Sequence, residues 1–79
     1  MDNRYKTIIV KIMQNKITEE ELKDEMSLTE DLKFDSIAFV NMVVMLESTY
    51  GFSFDDEYIS FEMLKTVKDV ANYVKLKTA

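Results

Sequence analysis

This sequence predicts an all-α fold: a small four-helix bundle, three main helices plus a short third helix, with a long loop between helices one and two. Three observations carry that expectation. Pro is absent and Gly occurs once, and with abundant helix formers little in the chain interrupts a helix. Apolar residues recur at the three-to-four-residue spacing of a buried helical stripe. Residues that cap helices stand at the ends of those stripes. At 79 residues from Met1, the chain reads as one domain, 1–79, free-standing rather than cut from a larger protein. A core that small leaves marginal stability.

The first helix is expected over residues 4–14, with Tyr5, Ile8, Ile9, Ile12 and Met13 on one face and Asp2 or Asn3 as its cap. The β-branched pair Ile8-Ile9 lowers helix propensity slightly, and the stripe outweighs it. Residues 15–35 fit no long periodic element. A structureless loop of roughly twenty residues is unusual inside a compact domain. The scattered apolar residues Ile17, Leu22, Met26, Leu28, Leu32 and Phe34 are therefore expected to pin this segment across the helices. Thr18-Glu19-Glu20-Glu21 fits a capping box that opens a short helical turn through residues 22–24.

The second helix is expected from Ser36 to Tyr50, a largely apolar stretch. Steps of about 100° per residue separate its two faces. Phe39, Met42, Val43, Leu46 and Tyr50 make a core face. Ile37, Asn41, Val44 and Ser48 lie opposite, with Val40 and Met45 at the margins. Gly51, the lone glycine, suits the left-handed residue that ends a helix. Phe52 and Phe54 are expected to pack inward. Asp55 or Asp56 then caps a short third helix reaching Met63 or Leu64, with Ile59 and Met63 facing the core. Thr66 caps the last helix, with Asp69 at the capping-box position. Val67, Val70, Ala71 and Val74 form its buried stripe, and Lys75 and Lys77 complement its dipole.

Composition narrows the chemistry. The chain has no His and no Cys, which argues against a zinc site and against Cys/His or Ser/His hydrolysis. Catalysis by this chain alone is not expected. Without Cys, no thiolate nucleophile is available either. A net charge of −5 argues against nucleic acid and anionic membranes and favours basic partner surfaces. Asp55-Asp56-Glu57 lacks the alternating ligands and central Gly of a calcium loop, so no metal site is expected. The opening residues, Met1-Asp2-Asn3-Arg4-Tyr5-Lys6, lack the apolar core of a signal peptide, and no run reaches transmembrane length. A cytoplasmic monomer is the expectation.

Asp35-Ser36 stands where a polar segment gives way to the second helix. In one reading either residue simply caps the helix. In the other, the Ser36 hydroxyl projects into solvent beside unpaired backbone N–H groups and the positive end of the helix dipole. A phosphate ester is favoured there. The wider pattern bears on the choice. Glu30-Asp31-Leu32, Asp35-Ser36-Ile37, Val40, Val43-Val44-Met45-Leu46-Glu47 and Tyr50-Gly51-Phe52 together resemble the acyl carrier protein family. The family's D-S-L/I motif is matched by Asp35-Ser36-Ile37, and its L-E-x-x-[FY]-G-[IF] helix end by residues 46–52.

The resemblance implies that Ser36 is the covalent attachment point of 4′-phosphopantetheine, moved there from coenzyme A by a phosphopantetheinyl transferase. The thiol of that arm would hold acyl intermediates as thioesters and present them to successive enzymes, raising their effective concentration. It also implies that Asp35 helps present Ser36, and that Ile37, Val40 and Val44 form a docking surface. The partners implied are acyl-transfer, ligase or synthase enzymes with basic or apolar docking surfaces, in fatty-acid, polyketide or related biosynthesis. As isolated residues, exposed Ile37 and Val44 would need no such explanation.

Three departures from the family pattern stand out. Lys33 occupies the place where the motif usually has Gly, so a positive φ there would bring strain. Glu47 is the only acid of the second helix, where fatty-acid carriers typically show several. Residues 58–65 look a residue or two longer than usual, and Asp55 stands where Pro often precedes the third helix. The serine chemistry survives these changes, while assignment to housekeeping fatty-acid synthesis weakens. Two alternatives remain: an aminoacyl or peptidyl carrier of a nonribosomal peptide pathway, and an unmodified acidic helical interaction module.

Overall fold

A computed structural model describes residues 3–78. Among them are three α-helices, α1 (Arg4–Ile12), α2 (Ser36–Tyr50) and α3 (Val67–Thr78), with a 3₁₀ turn at Asp56–Tyr58 before α3. α2 is the central element and packs against both α1 and α3. Its core face is the one the spacing predicts: Phe39, Met42, Val43 and Leu46 are buried, and Tyr50 is half-buried. They meet Ile8 and Ile9 of α1 and Val67, Val70 and Val74 of α3 in one apolar cluster. Burying each such side chain contributes roughly 1.5–3 kcal/mol.

The ends of α1 differ from expectation. Asn3 is its N-cap residue but makes no side-chain cap hydrogen bond, and Asp2 lies outside the described residues. The helix stops at Ile12, because Gln14 and Asn15 both turn left-handed, with φ of 57° and 61°. Its start is tied to the end of α2 instead. The Arg4 guanidinium lies 4.4 Å from the Tyr50 ring centroid, and the Tyr5 backbone N–H donates to the Tyr50 hydroxyl at 3.0 Å.

The long α1–α2 connection is pinned as its apolar residues suggest. Leu22, Leu28, Leu32 and Phe34 are buried, while Ile17 and Met26 pack against the core from partly exposed positions. The Thr18–Glu21 capping box forms reciprocally: Glu21 N–H donates to Thr18 Oγ1 at 3.2 Å and Thr18 N–H to Glu21 Oε1 at 2.9 Å. It opens a single hydrogen-bonded turn. Further along, the loop pairs with the approach to α3. An isolated antiparallel bridge joins Ser27 and Thr66. Leu28 N–H donates to the Lys65 carbonyl and Val67 N–H to the Met26 carbonyl, at 2.9 and 3.0 Å. These bonds satisfy buried backbone groups that a bare loop would leave unpaired.

The expected short third helix is present only as the 3₁₀ turn at Asp56–Tyr58, followed by a turn in which Leu64 N–H reaches the Ser60 carbonyl at 3.0 Å. Ile59 and Met63, expected to face inward, are 38% and 45% exposed. Larger rings take the inward places. Phe61 packs on Phe39 with centroids 4.6 Å apart, and Tyr58 on Tyr73 at 4.5 Å. The Asp55 carboxylate is drawn away from capping: it accepts from the Tyr73 hydroxyl at 3.0 Å and lies 3.4 Å from the Lys77 ammonium. At the start of α3 the Thr66–Asp69 capping box is in place, with bonds of 3.1 Å in both directions.

Candidate functional site: the start of α2

The segment entering α2 is held from both sides. Phe34 is buried, and its N–H donates to the Leu28 carbonyl at 2.8 Å. Asp35 then adopts an extended backbone, φ −102° and ψ −176°, and its Oδ1 accepts from Ala38 N–H at 2.8 Å. Asp35 is therefore the cap. That settles which of the two polar residues satisfies the helix end, and it leaves the neighbouring hydroxyl free. Ser36 is the first residue of α2 and exposed. Among the described residues nothing hydrogen-bonds its side chain.

The geometry suits an esterified phosphate. The first-turn N–H groups of a helix lack intrahelical partners and carry the positive end of its dipole, so an anion on the Ser36 oxygen would sit against them. Ser36 and Asp35 are brought together as the sequence implies. Ile37, Val40 and Val44 follow at 72%, 51% and 55% exposure. Their three- and four-residue spacing makes one stripe along the outer face of α2, starting one residue from the serine.

Two findings refine the departures noted above. Lys33 has φ of 59°, a left-handed backbone that costs a non-glycine residue on the order of 1 kcal/mol. Glu47, the only acid in α2, is no free surface charge. Its Oε2 accepts from Phe54 N–H at 2.8 Å and folds the chain back after Gly51, which sits at φ 71° as the helix-ending residue. Three contacts gave no local signal in the sequence: Phe61 on Phe39, Tyr73 on Asp55, and a groove beside Lys33. Each joins residues from separate stretches of chain. Among the described residues no group of three or more His, Cys, Asp or Glu is placed to hold a metal ion. No helix among them is long and apolar enough to cross a membrane.

The described residues thus form a three-helix bundle that presents a free serine hydroxyl at the start of its central helix. Residues 7–74 match the family described as "Phosphopantetheine attachment site". The chain is 35% identical to the acyl carrier protein of Helicobacter hepaticus, over 95% of this chain and 96% of that one. It is 37% identical to the acyl carrier protein of Coprothermobacter proteolyticus, over 75% of this chain and 70% of that one. A D-alanyl carrier protein from Abiotrophia defectiva is 25% identical over the full chain and 98% of its own length. The solution NMR structure of the holo acyl carrier protein from Nitrosomonas europaea superposes with a TM-score of 0.80 at 26% identity, covering 92% of this chain and 89% of that one.

The chain belongs to the acyl carrier protein family. It is a non-catalytic carrier of covalently bound phosphopantetheine. Proteins of this kind act with the transferase that installs the arm and with acyl-transfer and synthase enzymes.

Proposed function

We propose that Ser36 is the residue that carries the 4′-phosphopantetheine arm, and that Ile37, Val40 and Val44 are the surface on which partner enzymes dock beside it. One observation carries the assignment of Ser36: Asp35 does the capping, so the exposed Ser36 hydroxyl is free for a transferase. In the loading step the Ser36 oxygen forms a bond to the pantetheine-bearing phosphorus of coenzyme A. The phosphoanhydride bond breaks, adenosine 3′,5′-bisphosphate leaves, and the hydroxyl proton passes to a base on the transferase. The arm's thiol then holds acyl groups as thioesters for enzymes of fatty-acid, polyketide or related biosynthesis. Asp35 orients this step by fixing the helix start and placing a carboxylate beside the hydroxyl. The carrier works as a cytoplasmic monomer.

An aminoacyl cargo is a second reading, favoured by the full-length likeness to a D-alanyl carrier protein and by the uncharged outer stripe of α2. The acyl group released by hydroxylamine from protein purified out of its own cells separates the two cargoes. Intact mass after incubation with coenzyme A and a broad-specificity transferase tests the site. Wild type is expected to gain one phosphopantetheine and Ser36→Ala none. No gain in wild type would favour the unmodified helical interaction module, and an equal gain in Ser36→Ala would place the arm elsewhere.

A further inference from the structure

Lys33 holds a left-handed backbone that glycine would take freely, and its side chain gains nothing visible in exchange. It is exposed, and among the described residues no carboxylate or hydrogen-bond acceptor engages its ammonium. The local path is set by its neighbours. Leu32 N–H donates to the Ser27 carbonyl and Phe34 N–H to the Leu28 carbonyl, with both side chains buried. Strain retained without a packing return points to a role for the side chain itself.

That side chain lines a groove of about 440 Å³ between the end of α1 and the start of α2. Lys16 lines it too, and is also without a partner among the described residues. Ile12, Met13 and Ala38 give it apolar walls, and Asp35, next to Ser36, lines it as well. The Asp35 carboxylate is committed to the Ala38 N–H. In a chain of net charge −5, two lysines without a partner among the described residues thus line a groove that reaches Asp35, one residue before the candidate serine.

We propose that Lys33 and Lys16 hold the phosphodiester of the arm at the mouth of this groove. The resting pantetheine then lies along the α1 side of Ser36 and leaves the Ile37, Val40 and Val44 stripe uncovered for partners. The proposal rests on the reading of Ser36 as the attachment site. A phosphodiester is a monoanion with acceptor oxygens, and an ammonium pairs with it as a point charge. Lys33 stands three residues before Ser36, at most about 11 Å along the chain, a gap that the lysine side chain and the serine-borne phosphate close from its two ends. The groove's apolar walls suit the methylene and gem-dimethyl parts of the arm, as in other small-molecule clefts.

The test compares amide ¹H–¹⁵N maps and the phosphodiester ³¹P resonance of apo and holo protein, each holo sample made with coenzyme A and a transferase and checked by intact mass. In wild type, the arm is expected to shift amides of residues 12–16 and 33–38. Those shifts should fade between about 0.01 M and about 1 M salt, as the Debye length falls from roughly 30 Å to roughly 3 Å. In Lys33→Gly and in Lys16→Gln with Lys33→Gln, they are expected to shrink to about half or less. Glycine takes the left-handed backbone freely, and the apo map of Lys33→Gly reports that the variant is folded. Absence of a mass gain in wild type would remove the Ser36 reading itself, before any map is recorded. A normal gain with shifts confined to α2 residues 37–44 and residues 61–63 overturns the groove alone. So does a Lys33→Gly map equal to that of wild type, even if the variant loads more slowly. The wild-type map decides the matter should a variant fail to load.

Discussion

At the scale of single residues, the start of α2 divides its work between neighbours. Asp35 caps and Ser36 is left free, so the two substitutions should separate cleanly. Asp35→Ala removes the bond to Ala38 N–H and should destabilise by about 1 kcal/mol. In a domain of this size that lowers the melting temperature by roughly 4–8 °C. Ser36→Ala should leave thermal stability within about 0.5 kcal/mol, as expected for an exposed residue with no partner, while abolishing the mass gain. Lys33→Gly should move the other way. Releasing a φ of 59° is expected to stabilise by on the order of 1 kcal/mol, read as a raised denaturant midpoint with unchanged slope.

At the scale of elements, α2 has two apolar faces. The inner one is core. The outer stripe of Ile37, Val40 and Val44 is more than half exposed at each position. Val44→Asp should therefore fold with stability within about 0.5 kcal/mol of wild type, yet raise the KM of a partner enzyme for the loaded carrier. A lowered kcat with unchanged KM would contradict docking. The segment before α3 depends on a different device. Tyr73 donates to Asp55 Oδ2 and accepts from Asp55 N–H at 2.9 Å, clamping the 3₁₀ turn to the last helix. Burial raises the Tyr73 hydroxyl above its ordinary value, with the Asp55 carboxylate adding to the rise. A folded value above the unfolded one means this contribution is complete below pH about 10. It is lost as pH climbs through the raised folded value. Tyr73→Phe should cost about 1 kcal/mol at neutral pH and make the alkaline fall in melting temperature shallower. Tyr5, raised by burial and by Asp24, keeps the rest of that fall.

At the scale of the whole molecule, charge and core work against each other. Fifteen acids against ten bases are folded into a radius of gyration of 11.3 Å, so self-repulsion bears on a small core. Salt should raise the melting temperature between about 0.01 M and about 1 M by screening that repulsion. Partner affinity should respond less, because the proposed docking stripe is uncharged and Glu47 is spent on Phe54 N–H. A steep loss of partner affinity with salt would show that acids outside α2 govern docking.

How much of this was legible in the sequence depends on whether the cause is local. Helical periodicity is local, so the stripes of α1, α2 and α3 could be read directly. So could the Thr18 and Thr66 capping boxes and Gly51, because each relates residues within one turn. The D-S-I motif marked Ser36 as the candidate site, but not which of Asp35 and Ser36 would spend its side chain on the cap. The short third helix is a 3₁₀ turn, and its inward residues differ from Ile59 and Met63 because those positions were assigned by spacing. The packing instead chose the larger rings Tyr58 and Phe61, which find Tyr73 and Phe39 only once α2 and α3 are in place. The sequence by itself determined an all-α carrier scaffold and its candidate serine. Tertiary structure alone decided the 3₁₀ turn, the use of Glu47 and the lysine groove, because each is made by residues that only folding brings together.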